Sequence, residues 1–180
     1  MNTEYEIRIL DIDVDKIIHT LEDMGATKIG EYSQRRYVYD IVPGENDRFV
    51  RIRDNGEKVT ITYKDKTIRT ISGTKELEME ISDFDKANEL LNLLGYNNGH
   101  YVENKRITYK LEDAEFDIDT YPKIPTYMEI EGKDEETVNK YIELLKLDDN
   151  EKTCDSIFKV YARYGLDISN KQDLKFEEVK

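Results

Sequence analysis

The first strand signal lies almost at the start, where charged and apolar residues take turns. Glu4, Glu6 and Arg8 fall on one face of an extended segment, and Tyr5, Ile7 and Ile9 on the other. The same two-residue beat returns over Phe49 to Arg53, Val59 to Lys64, Glu76 to Ile81, Val102 to Lys110, Glu115 to Asp119 and Tyr127 to Glu131, and Arg36 to Val42 also reads as a strand. Helical spacing takes over between them. Ile17, Ile18, Leu21 and Met24 follow a cap at Asp13 or Asp15 and stop at Gly25, while Ala87, Leu90, Leu91 and Leu94 stop at Gly95. Val138, Tyr141, Ile142, Leu144 and Leu145 follow Asp134-Glu135-Glu136, and Ile157, Phe158, Val160 and Tyr161 run to Gly165. Turns are predicted at Pro43-Gly44-Glu45-Asn46 and Asp54-Asn55-Gly56, with a polar loop over 65–73 and a turn around His100. Residues 1–166 are expected to form one domain, and the charged tail over 167–180 to fray.

Two segments repeat. Asp15-Lys16, Leu21 and Gly25 recur as Asp85-Lys86, Leu91 and Gly95, each after an acidic alternating strand. The chain therefore reads as two related halves, each opening strand then helix.

Sorting the strands by parity makes a second pattern visible. If Tyr5, Ile7 and Ile9 pack on the helices, the opposite face of the strands carries Arg51, Arg53, Thr60, Thr62, Lys64, Asn104, Arg106, Asp117, Asp119, Glu129 and Glu131. An open antiparallel sheet with one wet face also gives such a pattern. The signs, however, are segregated: the first and the last two strands are acidic, and the strands around residues 51, 64 and 106 carry the bases. Eight strands also suffice to close a barrel with the polar face inward. A closed lining of carboxylates and guanidiniums is costly unless it holds ligands or water.

Composition narrows the partners. The chain has 180 residues, 38% hydrophobic and 37% charged, with a net charge of −13. That excess of acid argues against a nucleic-acid-binding surface, which needs clustered outward bases. Cys154 is the sole cysteine, so no internal disulfide can form and a reducing compartment is expected. The start lacks the basic-then-apolar pattern of a signal peptide, and no apolar run approaches the ~20 residues that cross a bilayer. A cytoplasmic protein without membrane partners is the expectation.

The segregated lining suits one chemistry better than others. Carboxylate oxygens suit Mg²⁺ or Mn²⁺; guanidiniums fork onto phosphate oxygens, and a lysine adds a point charge. Together they would stabilise charge on a polyphosphate during phosphoryl transfer. No Gly-rich phosphate loop ending in Lys-Ser/Thr is present, nor a Cys/His zinc cluster; His19, His100 and Cys154 have no sequence partner for metal binding or nucleophilic catalysis.

At this point the sequence resembles the CYTH family, the triphosphate tunnel metalloenzymes, from Glu4 to about Gly165. The Glu-x-Glu-x-Lys signature is matched by Glu4, Glu6 and Arg8, the paired arginines by Arg51 and Arg53, and the strand-ending Tyr-Lys by Tyr63-Lys64. Arg106 with Tyr109, the pair Asp117 and Asp119, and Glu129-Ile130-Glu131 complete the ordered set. Arg8 departs from the signature lysine, Asn104 stands where cyclase-like members often carry a lysine, and Arg36 where many members carry an acid.

The resemblance implies an α+β fold: a closed eight-stranded antiparallel tunnel with about four flanking helices. It implies that Glu4, Glu6, Asp117, Glu129 and Glu131 bind Mg²⁺ or Mn²⁺, and that Arg8, Arg51, Arg53, Lys64 and Arg106 grip a triphosphate. Glu4, Glu6, Arg8, Lys64 and Asp119 are the expected catalytic residues. The expected activity is metal-dependent hydrolysis of an inorganic, nucleoside or thiamine triphosphate. The alternatives are an adenylate cyclase releasing pyrophosphate and a binding module without turnover. A monomer or homodimer is expected.

Overall fold

In the computed structural model, residues 1–45, 47–97, 99–168 and 172–177 are described. The predicted turn position Asn46 and parts of the tail (169–171 and 178–180) lie outside the described residues. Strands β1 (Asn2–Ile9), β2 (Thr27–Asp40), β3 (Arg48–Asp54), β4 (Val59–Asp65), β5 (Thr74–Ile81), β6 (His100–Leu111), β7 (Ala114–Thr120) and β8 (Tyr127–Gly132) pair antiparallel in the order β5-β4-β3-β2-β6-β7-β8-β1. Asn2–Glu4 of β1 then pairs with Thr74–Glu76 of β5, which closes the barrel. Just before β5 begins, the Glu6 amide donates to the Ile71 carbonyl (3.0 Å), and a short strand β9 (Lys152–Thr153) pairs with Arg8 and Ile9. The ladder bonds of β1 are thus continued past the seam, as buried backbone groups require.

The apolar parity of the strands points outward onto helices α1 (Val14–Asp23), α2 (Phe84–Leu93) and α3 (Glu135–Leu144), whereas α4 (Ile157–Arg163) packs with Val102 and Tyr127, which share the inward parity, and lines the cavity with Ile157 and Phe158. Ile7, Ile9, Phe116, Ile118, Met128 and Ile130 meet Ile17 and Leu21 of α1 and Val138, Tyr141 and Ile142 of α3 in the largest core cluster. Burying each such side chain contributes about 1.5–3 kcal/mol. Ile52 and Tyr39 pack on Phe84 and Leu91 of α2. Asp13, Asp83 and Asp134 accept hydrogen bonds from the backbone N–H three residues on, at 3.1, 2.9 and 2.8 Å, and so cap α1, α2 and α3. Asp13 is therefore the cap left open with Asp15. The 70-residue repeat is real in space: β1–α1–β2 and β5–α2–β6 match, and both helices run into a glycine at positive φ (+85° at Gly25, +98° at Gly95).

Three differences from the sequence reading have physical causes. β2 begins at Thr27 and not at Arg36, because its largely exposed first half, with no apolar face to read, is held by the ladder to β6. His100 is not in a turn: it opens β6, fully buried, 5.4 Å from the ring of Phe158. Where fraying is expected, Leu174 is 3% exposed and exchanges backbone hydrogen bonds with β6 (Leu174 N–H to Tyr101 O, 2.9 Å; Glu103 N–H to Leu174 O, 2.8 Å). β6 outruns β7 there, and the tail fills the empty edge. Among the described residues, no helix is long and apolar enough to cross a membrane.

Candidate active site

Barrel closure brings the charged parity inward around a cavity of about 310 Å³. Walking round the wall, four consecutive strands supply bases to it: Lys64 from β4, Arg51 and Arg53 from β3, Arg36 from β2 and Arg106 from β6. The other four supply acids: Asp117 from β7, Glu129 and Glu131 from β8, Glu4 and Glu6 from β1, Glu76 and Glu78 from β5. A basic arc faces an acidic arc. Arg8 is the cation set among the acids.

Within the acidic arc the carboxylates are held by borrowed cations. Lys64 Nζ lies 2.7 Å from Glu4, 3.4 Å from Glu6 and 3.2 Å from Glu76, and Lys66 Nζ lies 2.6 Å from Glu6. Arg8 pairs with Glu129, donates to the Asp155 carbonyl and lies over the Tyr127 ring at 5.8 Å. Arg106 pairs with Asp117, Asp119 and Glu129, the last at 2.8 Å. The pKa values follow these contacts. Burial lifts Glu6, but Lys64, Lys66 and Arg8 outweigh it and hold its carboxyl well below the usual range. Glu129 is likewise resisted by burial yet drawn down to about 2 by Arg8 and Arg106.

Other acids go the opposite way. Burial lifts Glu4 to about 7, with Glu6 and Glu76 adding to the rise against Lys64. Asp117 rises to about 6 through burial and Asp119, against Arg106. Glu131 makes no ion pair among the described residues; it is exposed at the mouth, yet its setting in the wall and the nearby Glu4 and Glu6 lift it to about 8. On the basic arc, Arg51 and Arg53 share one acid, Glu78, at 3.5 and 3.2 Å. Arg53 is drawn down to about 9 by Arg51, burial, Arg106 and Arg36.

Of the residues expected in the site, Glu4, Glu6, Arg8, Arg51, Arg53, Lys64, Arg106, Asp117, Glu129 and Glu131 all reach the cavity. Asp119 does not: it is fully buried behind Arg106, accepting from Arg106 Nε and Asn104 Nδ2, both at 2.9 Å. Its parity is inward, but the larger guanidinium covers it. Sequence reasoning missed Lys66, buried at the end of β4 in what read as a polar loop; continuing the two-residue beat from Lys64 would have found it. Arg36, Glu76 and Glu78 had no assigned role, because their direction depends on which strands lie beside them.

The donors of the acidic arc are all carboxylate oxygens, the set that suits Mg²⁺ or Mn²⁺. Burial first, and the neighbouring carboxylates second, lift Glu4 to about 7 and Glu131 to about 8, and a divalent cation on their oxygens would offset both. Among the described residues no three acids, histidines or cysteines are already gathered as a ligand cluster, since Lys64, Lys66, Arg8 and Arg106 occupy the acids instead. The residues fit a hard divalent cation that displaces these internal partners.

Comparison with known proteins agrees with this arrangement. Residues 2–156 match the CYTH domain. MJ0240 of Methanocaldococcus jannaschii, provisionally named an adenylate cyclase, is 28% identical over 153 residues, covering 79% of this chain and 87% of that protein. The PH1819 protein of Pyrococcus horikoshii superposes with a TM-score of 0.70 at 25% identity, covering 89% of this chain and 99% of that one. HpAC1 of Hippeastrum, provisionally named an adenylyl cyclase and described as having a dominant triphosphatase activity, shares the fold with a TM-score of 0.62 at 17% identity, covering 96% and 100%. With the family matched over nearly all of the barrel, the chain belongs to the CYTH domain family.

Proposed function

We propose that this protein hydrolyses a triphosphate with the help of a divalent cation inside the tunnel. The observation that carries the reading is the facing of the two arcs across one cavity: bases on β4, β3, β2 and β6 against acids on β7, β8, β1 and β5. Arg51, Arg53 and Arg106 bind the phosphate chain and neutralise charge on its oxygens during transfer. Glu4, Glu6, Asp117, Glu129 and Glu131 would hold Mg²⁺ or Mn²⁺, which when bound supplies Lewis-acid activation of the phosphoryl group and of water. Lys64, which here neutralises Glu4, Glu6 and Glu76, would offer its ammonium to the phosphate chain when those acids hold the cation. Arg8 keeps Glu129 ionised and oriented, and Asp119 with Asn104 fixes the plane of Arg106.

The name of MJ0240 favours a second reading, an adenylate cyclase in which a ribose hydroxyl attacks the α-phosphorus. Incubating the purified protein with inorganic triphosphate or ATP and either metal separates the readings. Orthophosphate from inorganic triphosphate is the expected product. Cyclic AMP with pyrophosphate from ATP replaces the first reading with the second, and tight binding without product replaces both with a binding module.

A further inference from the structure

One member of the basic arc has no carboxylate at ion-pair distance among the described residues. Arg36 enters the lumen from β2 and is 6% exposed. Its guanidinium donates to the Tyr121 hydroxyl (2.8 Å), to Gln34 Oε1 (2.6 Å) and to Asn104 Oδ1, and lies 5.4 Å from the centre of the Tyr121 ring. All three acceptors are neutral. Nε is buried without a hydrogen-bond partner. Arg8, Arg51, Arg53, Lys64, Lys66 and Arg106 each have a carboxylate at ion-pair distance, whereas Arg36 has none among the described residues. Asp119, whose charge acts on Arg36, is already engaged by Arg106 and by the amide of Asn104.

The strand register sharpens the conflict. Arg36 lies directly opposite Arg53 on β3, so the two side chains leave the wall side by side. Like charges in that relation repel, and a buried unpaired cation is among the most expensive features a fold can carry. Three neutral side chains nevertheless hold the guanidinium in place. The arrangement is that of a preformed anion site, with positioning groups that leave the charge unspent.

We propose that Arg36, paired with Arg53, forms a subsite for one phosphoryl group of a linear polyphosphate, so that the tunnel selects by phosphate-chain length. The inference rests on the triphosphate reading of the tunnel and deepens it. Arg51 and Arg106 are offset to either side of this pair, so a chain long enough to span them engages Arg36 and a shorter one does not. Gln34, Asn104 and Tyr121 are positioning residues: they aim the guanidinium without supplying charge.

Calorimetric titration of the full chain with inorganic triphosphate, pyrophosphate and orthophosphate, in wild type, Arg36→Gln and Arg36→Lys, tests this. Arg36→Gln is expected to lose about ten- to hundredfold in triphosphate affinity, the value of one charge-assisted contact, and less than about threefold for pyrophosphate. Arg36→Lys keeps the charge and should recover most of the triphosphate affinity, which guards against a folding defect in the first variant. Equal losses for tri- and pyrophosphate, or an unchanged triphosphate affinity in Arg36→Gln, overturn the proposal. Turnover measured alongside separates it from the hydrolase reading: wild type that binds triphosphate without releasing orthophosphate removes the hydrolase and leaves the subsite, while normal turnover with no selective loss in Arg36→Gln does the reverse. A wild type that binds no triphosphate overturns both.

Discussion

The two arcs of the tunnel wall carry opposite charge and are also satisfied in opposite ways. Most of the acidic arc is internally neutralised: Lys64 alone reaches three of its carboxylates, and Arg8 and Arg106 both hold Glu129. The basic arc is short of acid, with Glu78 shared by Arg51 and Arg53 and no carboxylate paired with Arg36 among the described residues. The acids can therefore exchange their internal cations for an external one, while the bases wait for an anion that the chain does not contain. A ligand pair of metal and polyphosphate satisfies both arcs together, and either alone leaves one arc unbalanced.

The largest expected effect lies on one strand. Glu129 and Glu131 share a face of β8, yet Glu129 is a half-buried, doubly paired carboxylate and Glu131 an exposed one with no ion pair among the described residues. Glu129→Gln should lose metal-dependent activity and also cost about 3–5 kcal/mol in a urea melt, because Arg8 is left as a buried charge without its acid. A melt unchanged from wild type would show that Arg8 does not depend on this pair.

On the basic arc the expected loss is in affinity and not in stability. Arg51→Ala or Arg53→Ala should weaken triphosphate binding by about 1.5–3 kcal/mol. Ligand-free melts should move little, since each gives up only a shared contact to Glu78. Binding as tight as wild type in both variants would mean that this arc does not face the substrate.

The acidic arc also predicts a pH dependence whose sign differs with and without ligand. Glu4 at about 7 and Glu131 at about 8 stand above the ordinary 4.5, so the folded protein holds protons that the unfolded chain releases. Their stabilising contribution is complete below the unfolded value and is lost as pH rises through 7 to 8. Metal must displace the same protons, so Mn²⁺ affinity should climb up to about tenfold per pH unit over this window. Melts and Mn²⁺ titrations between pH 6 and pH 8.5 check both; a pH-independent affinity would remove these two acids from the metal site. The smallest effect is on Glu131→Gln, which should leave ligand-free stability within about 0.5 kcal/mol of wild type at pH 7, where the native carboxyl is already largely protonated.

What the sequence determined is what repeats over short distances. The alternation at Glu4–Ile9 and Tyr127–Glu131 decides which side chains share a face, because the strand period is two whatever the neighbours. The aspartates before α1, α2 and α3 cap their helices through contacts only three residues long. The segregation of sign was visible for the same reason: each strand carries its own charge. Tertiary structure decided what depends on distant pairing. Only the order β5-β4-β3-β2-β6-β7-β8-β1 gathers the basic strands into one arc and turns Glu76 and Glu78 inward, while Leu77 and Met79 are left exposed on the other face. Only the register between β2 and β3 sets Arg36 beside Arg53, and only packing depth hides Asp119 behind Arg106. Alternation gives each strand two faces, but barrel closure chooses which charges meet, and that choice is made between residues far apart in the chain.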